Sequence, residues 1–227
     1  MKTFTLGLLL LGIASSSFAT DKVQLDNRIR TLTGKFEELQ AKPDKCVPAE
    51  NLRKAQGIVL LDRTKAGLVF GYQGGGGVVL VKDPKTEQWS AAAFMSASEG
   101  SFGAQIGGEQ IFLVILLMSS NATHMLLEPR FEFGGEARGT AGDSSVVEEG
   151  KSVVPEKTVL VYGDRKGLYG GATIKGGSIL PDEEANRTYY QQYLTTKEIL
   201  FEAKVKPTEA ATALANKLAE YSRIAKK

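Results

Sequence analysis

The sequence predicts an α+β fold, a curled or barrel-like antiparallel β-sheet with N-terminal and C-terminal helices packed on it. Three observations carry that expectation. Leu25, Ile29, Leu32, Phe36 and Leu39 recur at spacings of four and three, which is the period of one helical face. Between residues 58 and 118 the pattern changes to short β-branched and aromatic runs separated by turn residues. From Asp182 onward the helical pattern returns. A block of strands flanked by helices, without strict alternation, points to an antiparallel sheet with helices at one face or end.

The elements follow in order. The first helix ends at Pro43 and the polar residues around Asp44. Pro48 suits the first turn of a short helix over 49–55, which Gly57 closes. Strands are then expected over 58–61, 68–72 and 78–81. Gly74-Gly75-Gly76-Gly77 sits between the last two, as a wide turn or a close backbone approach. Asp83-Pro84 marks the next turn, and 89–96 and 102–106 are further strand candidates. Residues 111–118 are continuously apolar. That run is shorter than the roughly 20 residues of a membrane span and fits a strand buried on both faces. Asn121 can cap a helix over 122–127, stopped by Pro129. Strand-like pieces follow at 130–133, 158–162 and 168–174, with glycine-rich bends over 134–142. A helix is expected over 182–193. Thr195 and Glu198 spell a capping box before Ile199-Leu200-Phe201. Pro207 starts a last helix with Leu214, Leu218, Tyr221 and Ala225 on one face.

Residues 1–19 have the form of an export leader: Lys2, a short apolar core over 4–14, and small residues at Ser17 and Ala19. The expected organisation is a signal peptide over 1–19, an N-terminal amphipathic helix and linker over 20–45, and one domain over 46–227. The expected location is periplasmic or secreted, peripheral to a membrane. Cys46 is the one cysteine, so no internal disulfide forms. A partly buried thiol is the ordinary reading, and an intermolecular bridge is the alternative. The 28 basic and 26 acidic residues give no field that would attract nucleic acid.

Catalytic and metal motifs are sparse. His124 is the one histidine, so a histidine-rich metal site cannot form, and with one cysteine neither can the usual zinc sites. No Gly-x-Ser-x-Gly occurs. The four glycines are not followed by Gly-Lys-Ser/Thr, and a strand rather than a helix comes after them, which excludes the phosphate-loop and dinucleotide fingerprints. Glu148-Glu149 and Glu183-Glu184 read as solvated charge. The expectation is therefore a protein that is not an enzyme and needs no cofactor or metal.

The order of short motifs carries more than any one of them. Ala55-Gln56-Gly57-Ile58 precedes Gly67-Leu68-Val69-Phe70-Gly71 and the four glycines. Trp89-Ser90-Ala91 and Gly100-Ser101-Phe102-Gly103-Ala104-Gln105-Ile106-Gly107 follow. Tyr162-Gly163, Gly167-Leu168-Tyr169-Gly170-Gly171 and Asn186 with Tyr189-Tyr190 complete the set. From about Pro48 to the last helix the chain resembles the SYLF domain family. The resemblance implies a lipid-binding domain. Eukaryotic members bind phosphoinositides and some bind or bundle actin, while exported bacterial members are placed at the cell envelope. The chain departs from the family at Ala92, at Ile111-Phe112, at Asp143-Ser144-Ser145, where a basic residue is lost, and at Gln191.

Beside the resemblance, the residues offer two kinds of contact. Arg63, Lys65, Lys82 and Lys85 stand near proposed turns and would meet the headgroups of anionic phospholipid at a membrane surface. Backbone amides of Gly74, Gly75, Gly76 and Gly77 would approach the same anionic group. The alternative is a protein-interaction or structural module without a lipid ligand. It would meet a partner, or a second copy of itself, through Leu25, Ile29, Leu32, Phe36 and Leu39.

Overall fold

The computed structural model describes residues 21–67, 70–102, 107–133, 158–167 and 177–223. The leader, the glycine-rich bends over 134–142, Asp143-Ser144-Ser145 and the strand expected over 168–174 lie outside the described residues.

The first helix, α1 (Lys22–Gln40), opens on Asp21, whose carboxylate accepts from the Gln24 amide at 2.7 Å. Its five periodic residues are all buried, at 0–1% exposure. A short helix, α2 (Ala49–Lys54), starts after Pro48. The sheet then runs through β1 (Gly57–Gly67), β2 (Phe70–Val81), β3 (Ala93–Phe102) and β4 (Gly107–Leu117). A helix α3 (Ser120–His124) and a 3₁₀ turn over 125–127 lead to β5 (Phe131–Phe133). The chain resumes with β6 (Val159–Gly167), β7 (Gly177–Pro181), α4 (Glu183–Tyr190), α5 (Thr196–Leu200) and α6 (Glu209–Arg223). The seven strands among the described residues are antiparallel, in the order β5-β7-β3-β2-β1-β4-β6, and the sheet curls as a half-barrel.

Helices cover both faces. Ile58, Leu60, Val78, Leu80, Phe94, Phe112, Val114 and Leu116 pack against the apolar positions of α1, α2, α4 and α6. The intervening residues, among them Val59, Leu61, Val79, Met95, Leu113, Ile115 and Leu117, form a second core with α3, α5 and β5. Residues 111–117 thus divide between two cores, as their unbroken apolarity predicts. Both cores lie where β1 begins and where β2 and β4 end, termed the near end below. The far end holds the β1–β2, β3–β4 and β6–β7 strand termini.

Polar side chains fix the helices. Asn186 on α4 accepts from the Phe94 amide at 2.8 Å and donates to the Phe94 carbonyl at 3.2 Å. The Tyr190 hydroxyl donates to the Ala92 carbonyl at 2.6 Å. The Tyr189 hydroxyl donates to Asp26 at 2.5 Å and lies 2.6 Å from Thr208, joining α1, α4 and the start of α6. The capping box of Thr195 and Glu198 is formed as expected.

Several expectations are corrected. The four glycines are not a turn but the middle of β2, paired with β1 on one side and β3 on the other. Close backbone approach is the reason. A Cβ at Gly75 would sit 2.1 Å from the Asp62 carbonyl oxygen, and one at Gly77 would sit 2.5 Å from that of Leu60. Trp89 does not begin a strand; it makes an isolated bridge with Lys82, and β3 starts at Ala93. The cap of α3 is Ser119, which accepts from the Ala122 amide, not Asn121. Helix α4 stops at Tyr190 because Gln191 turns left-handed, with φ of 55°. Strand β7 has no counterpart among the expected elements.

Candidate functional site

The structure separates the four basic residues proposed from sequence. Lys82 follows β2 at the near end, level with Gln56, whose carbonyl accepts its amide at 2.7 Å. Its ammonium donates to the Arg53 carbonyl at the end of α2, 3.0 Å away, and stands 5.1 Å from the centre of the Trp89 ring. Burial lowers the pKa of this amine, with Glu87 acting in the opposite direction. Lys85 is exposed in the turn beyond, where Asp83 accepts from the amides of Thr86 and Lys85. Those two bonds hold the Asp83 carboxyl below its ordinary range.

Arg63 and Lys65 lie on β1, well along the strand from Lys82. At roughly 3.3 Å per residue, Lys65 is about 30 Å from the level of Gln56. One headgroup cannot touch both pairs. Arg63 is not at a turn: it is 2% exposed, in mid-strand, across from Gly75 and Ile111. Lys65 is paired with Gln73 on β2 and Glu109 on β4. The four glycines stand inside two ladders, so their amides lie in the plane of the sheet and do not form an open cradle.

The far end gains basic residues that the sequence reading passed over. Arg165 on β6 is across from Ile111, and Lys166 is across from Gln110. The same row therefore reads Gly75, Arg63, Ile111, Arg165 from β2 to β6. Acidic residues are present too: Glu109 opposite Lys65, Glu99 opposite Gln73, and Asp164 opposite Phe112. Neither Arg165 nor Lys166 has an acid directly across the ladder. The missed signal was a repeat of pattern: Lys65-Ala66-Gly67 and Arg165-Lys166-Gly167 both place cations just before a strand-ending glycine.

Helix α1 meets the sheet one register step nearer the core. Arg28 lies over Gly76, where a Cβ would come within 3.2 Å of its Nη1. Its guanidinium is 3.6 Å from Asp182 and 5.8 Å from the Phe94 ring centre. Lys35 pairs with Asp62, which also accepts from Gln110 at 3.1 Å. These ion pairs are half-buried and tie α1 down. Its apolar residues Leu25, Ile29, Leu32, Phe36 and Leu39 are consumed in the core of the same domain, so they cannot serve a partner or a second copy as the sequence reading allowed. The helix accordingly shares one core with the sheet and with α2, α4 and α6.

Cys46 is partly buried, its thiol 3.6 Å from the Pro43 carbonyl. Among the described residues no group of three or more His, Cys, Asp or Glu side chains is placed to hold a metal ion, and no helix is long and apolar enough to cross a membrane.

Comparison with known proteins adds to this geometry. A family model described as Ysc84, Las17-binding protein actin regulator, matches residues 98–221. The SH3 domain-containing YSC84-like protein 1 of Bos taurus is 30% identical over 179 residues, covering 77% of this chain and 52% of that protein. Its Xenopus laevis counterpart is 32% identical over 171 residues, 74% of this chain and 51% of the relative. Protein YSC84 of Saccharomyces cerevisiae is 30% identical over 175 residues, 75% of this chain and 37% of the relative. The chain thus spans about half the length of the animal relatives and less of the yeast one. No solved structure matches it.

Proposed function

Because the chain belongs to the Ysc84 (SYLF) family, we propose that it is a non-catalytic module that associates peripherally with anionic phospholipid at the envelope of the cell that exports it. The observation that carries this reading is the register that brings Lys65 on β1 and Arg165 and Lys166 on β6 to the same end of the sheet, on the two strands that flank β4. Arg165 and Lys166 belong to an edge strand, where the register sets the uncharged Ile111 and Gln110 across from them. Lys82 is the weaker half of the original set, since its ammonium already serves the Arg53 carbonyl and the Trp89 ring.

The test is co-sedimentation of the chain from Thr20 with vesicles of phosphatidylcholine alone, or mixed with phosphatidylglycerol, across a salt series. Binding should need the anionic lipid and fade with salt, because exposed charges are screened beyond about 8 Å at physiological ionic strength. Lys65→Glu with Lys166→Glu should abolish it, and Lys82→Glu with Lys85→Glu should leave it. The reverse pattern would move the site to the near end. No sedimentation with any vesicle would remove the lipid reading.

A second reading, a protein-binding module, draws on the description of the matched family as Las17-binding actin regulators. With the apolar face of α1 buried, that partner would have to use another surface. Loss of a captured partner on charge reversal at Lys166, with no vesicle binding throughout, would favour it.

A further inference from the structure

Two Asn-x-Thr triplets occur in the chain, Asn121-Ala122-Thr123 and Asn186-Arg187-Thr188. This is the acceptor pattern of N-linked glycosylation, a bulky modification that belongs on a protein surface. The fold treats the two asparagines in opposite ways. Asn121 is exposed on α3. Asn186 is 2% exposed, in the seam between α4 and β3. Its Nδ2, the atom that would carry a sugar, donates to the Phe94 carbonyl at 3.2 Å, and its Oδ1 accepts from the Phe94 amide at 2.8 Å. Ala185 and Tyr189 are buried beside it, and the Tyr190 hydroxyl bonds the Ala92 carbonyl across the same seam. A saccharide on Nδ2 would break a buried hydrogen bond and overfill a closed contact.

We propose that Asn186 is an acceptor the fold forbids and Asn121 one it tolerates, so that the chain folds only where asparagine is not glycosylated ahead of folding. The donor in such a transfer is an oligosaccharide joined through a diphosphate to a polyprenol lipid. A bond forms between Nδ2 and C1 of the first sugar, and the bond from C1 to the diphosphate oxygen breaks. The lipid diphosphate leaves as an anion, and Nδ2 gives up one of its two hydrogens as a proton. The transferase acts on extended chain, so burial in the finished fold gives Asn186 no protection. With α4 held off the sheet, Tyr189 would also lose Asp26 and Thr208, its contacts to α1 and the start of α6. The export route in the reading above is therefore one without this transfer. That step rests on the export reading; the bar at Asn186 does not.

The test compares two preparations of the chain from Thr20. One is made in the cytoplasm of a bacterium that lacks the transferase, and the other is secreted from cultured animal cells behind an animal secretion leader. In the animal cells the unaltered chain should carry a glycan at Asn186, read by glycopeptide mass spectrometry, and its secretion should be lost. Thr188→Ala erases the triplet at a half-buried position and keeps Asn186. It should restore secretion, with a glycan at Asn121 alone and the thermal midpoint of the bacterial preparation. An inhibitor of glycan-donor synthesis should restore secretion of the unaltered chain, an arm that needs no substitution. Asn121→Gln should restore nothing. Secretion of the unaltered chain in folded form, with Asn186 glycosylated or bare, would overturn the proposal. So would retention under both the substitution and the inhibitor. None of these outcomes touches vesicle sedimentation of the bacterial preparation. Expressing residues 1–227 in a bacterium and sequencing the N-terminus of the periplasmic product tests the export reading by itself.

Discussion

The near and far ends of the same strands are made of different material. Along β1, residues 58–61 are Ile, Val, Leu and Leu, all at 0% exposure; residues 62–67 are Asp, Arg, Thr, Lys, Ala and Gly. In β4 the change runs the other way along the chain, from Gly107-Gly108-Glu109-Gln110 to the apolar 111–117. Hydrogen-bonded ladders run through both halves without interruption. Backbone pairing therefore sets the length of the sheet, while among the described residues the buried apolar side chains of both cores gather at one end. Separation of this kind lets a surface vary its contacts without endangering the core.

The largest expected effect tests the stable half. Leu60→Ala empties a site of 0% exposure between α1 and the sheet and should cost about 2–5 kcal/mol in denaturant unfolding. Gln110→Ala, at an exposed position of β4, should cost clearly less; equal losses would erase the distinction between the ends. Next comes Gly75→Ala, whose Cβ meets the Asp62 carbonyl at 2.1 Å and should cost about 1–3 kcal/mol. Gly76→Ala, facing the movable Arg28 guanidinium at 3.2 Å, should cost less than Gly75→Ala. Tyr189→Phe removes the hydroxyl bonds to Asp26 and Thr208 and should cost about 1 kcal/mol.

Smaller still is a pH effect confined to the near end. Burial raises the pKa of the Tyr190 phenol, and raises that of Tyr189 with the help of Asp26. A raised phenol is neutral in both folded and unfolded chains below its unfolded pKa of about 10, so its contribution is intact there. Above that pH the unfolded chain loses the proton first, and stability falls. The urea midpoint should decline above about pH 10, and Tyr190→Phe should flatten the decline. A midpoint indifferent to pH in that range would contradict the burial of both phenols.

Much of the near end was legible in the sequence. The period of α1, the doubly apolar 111–118 run, and the Thr195–Glu198 box are local patterns, and each formed as read. The glycines were misjudged as a possible turn because their reason is not local. The Asp62 and Leu60 carbonyls that forbid a Cβ come from another strand. Arg63 and Lys65 were placed near a turn because the apolar run ends at Leu61, yet pairing with β2 and β4 carries β1 on to Gly67. β7 escaped notice because Gly177-Ser178-Ile179-Leu180-Pro181 holds two apolar side chains and ends in proline. Amphipathicity announced α1 but could not say that α6 and the sheet would cover it.

That last contact has a consequence for time rather than space. Phe36 packs edge-on against Tyr221 at 5.6 Å, Glu37 pairs with Lys217 at 2.9 Å, and Tyr189 bonds both Asp26 and Thr208. The first described helix thus waits for the last one. Central β1 waits as well for β2 and β4, whose sequences come later. Such distant pairings make folding slow, because loops must close before contacts can form. A chain emerging stepwise from the ribosome would leave this contact open until α6 had appeared.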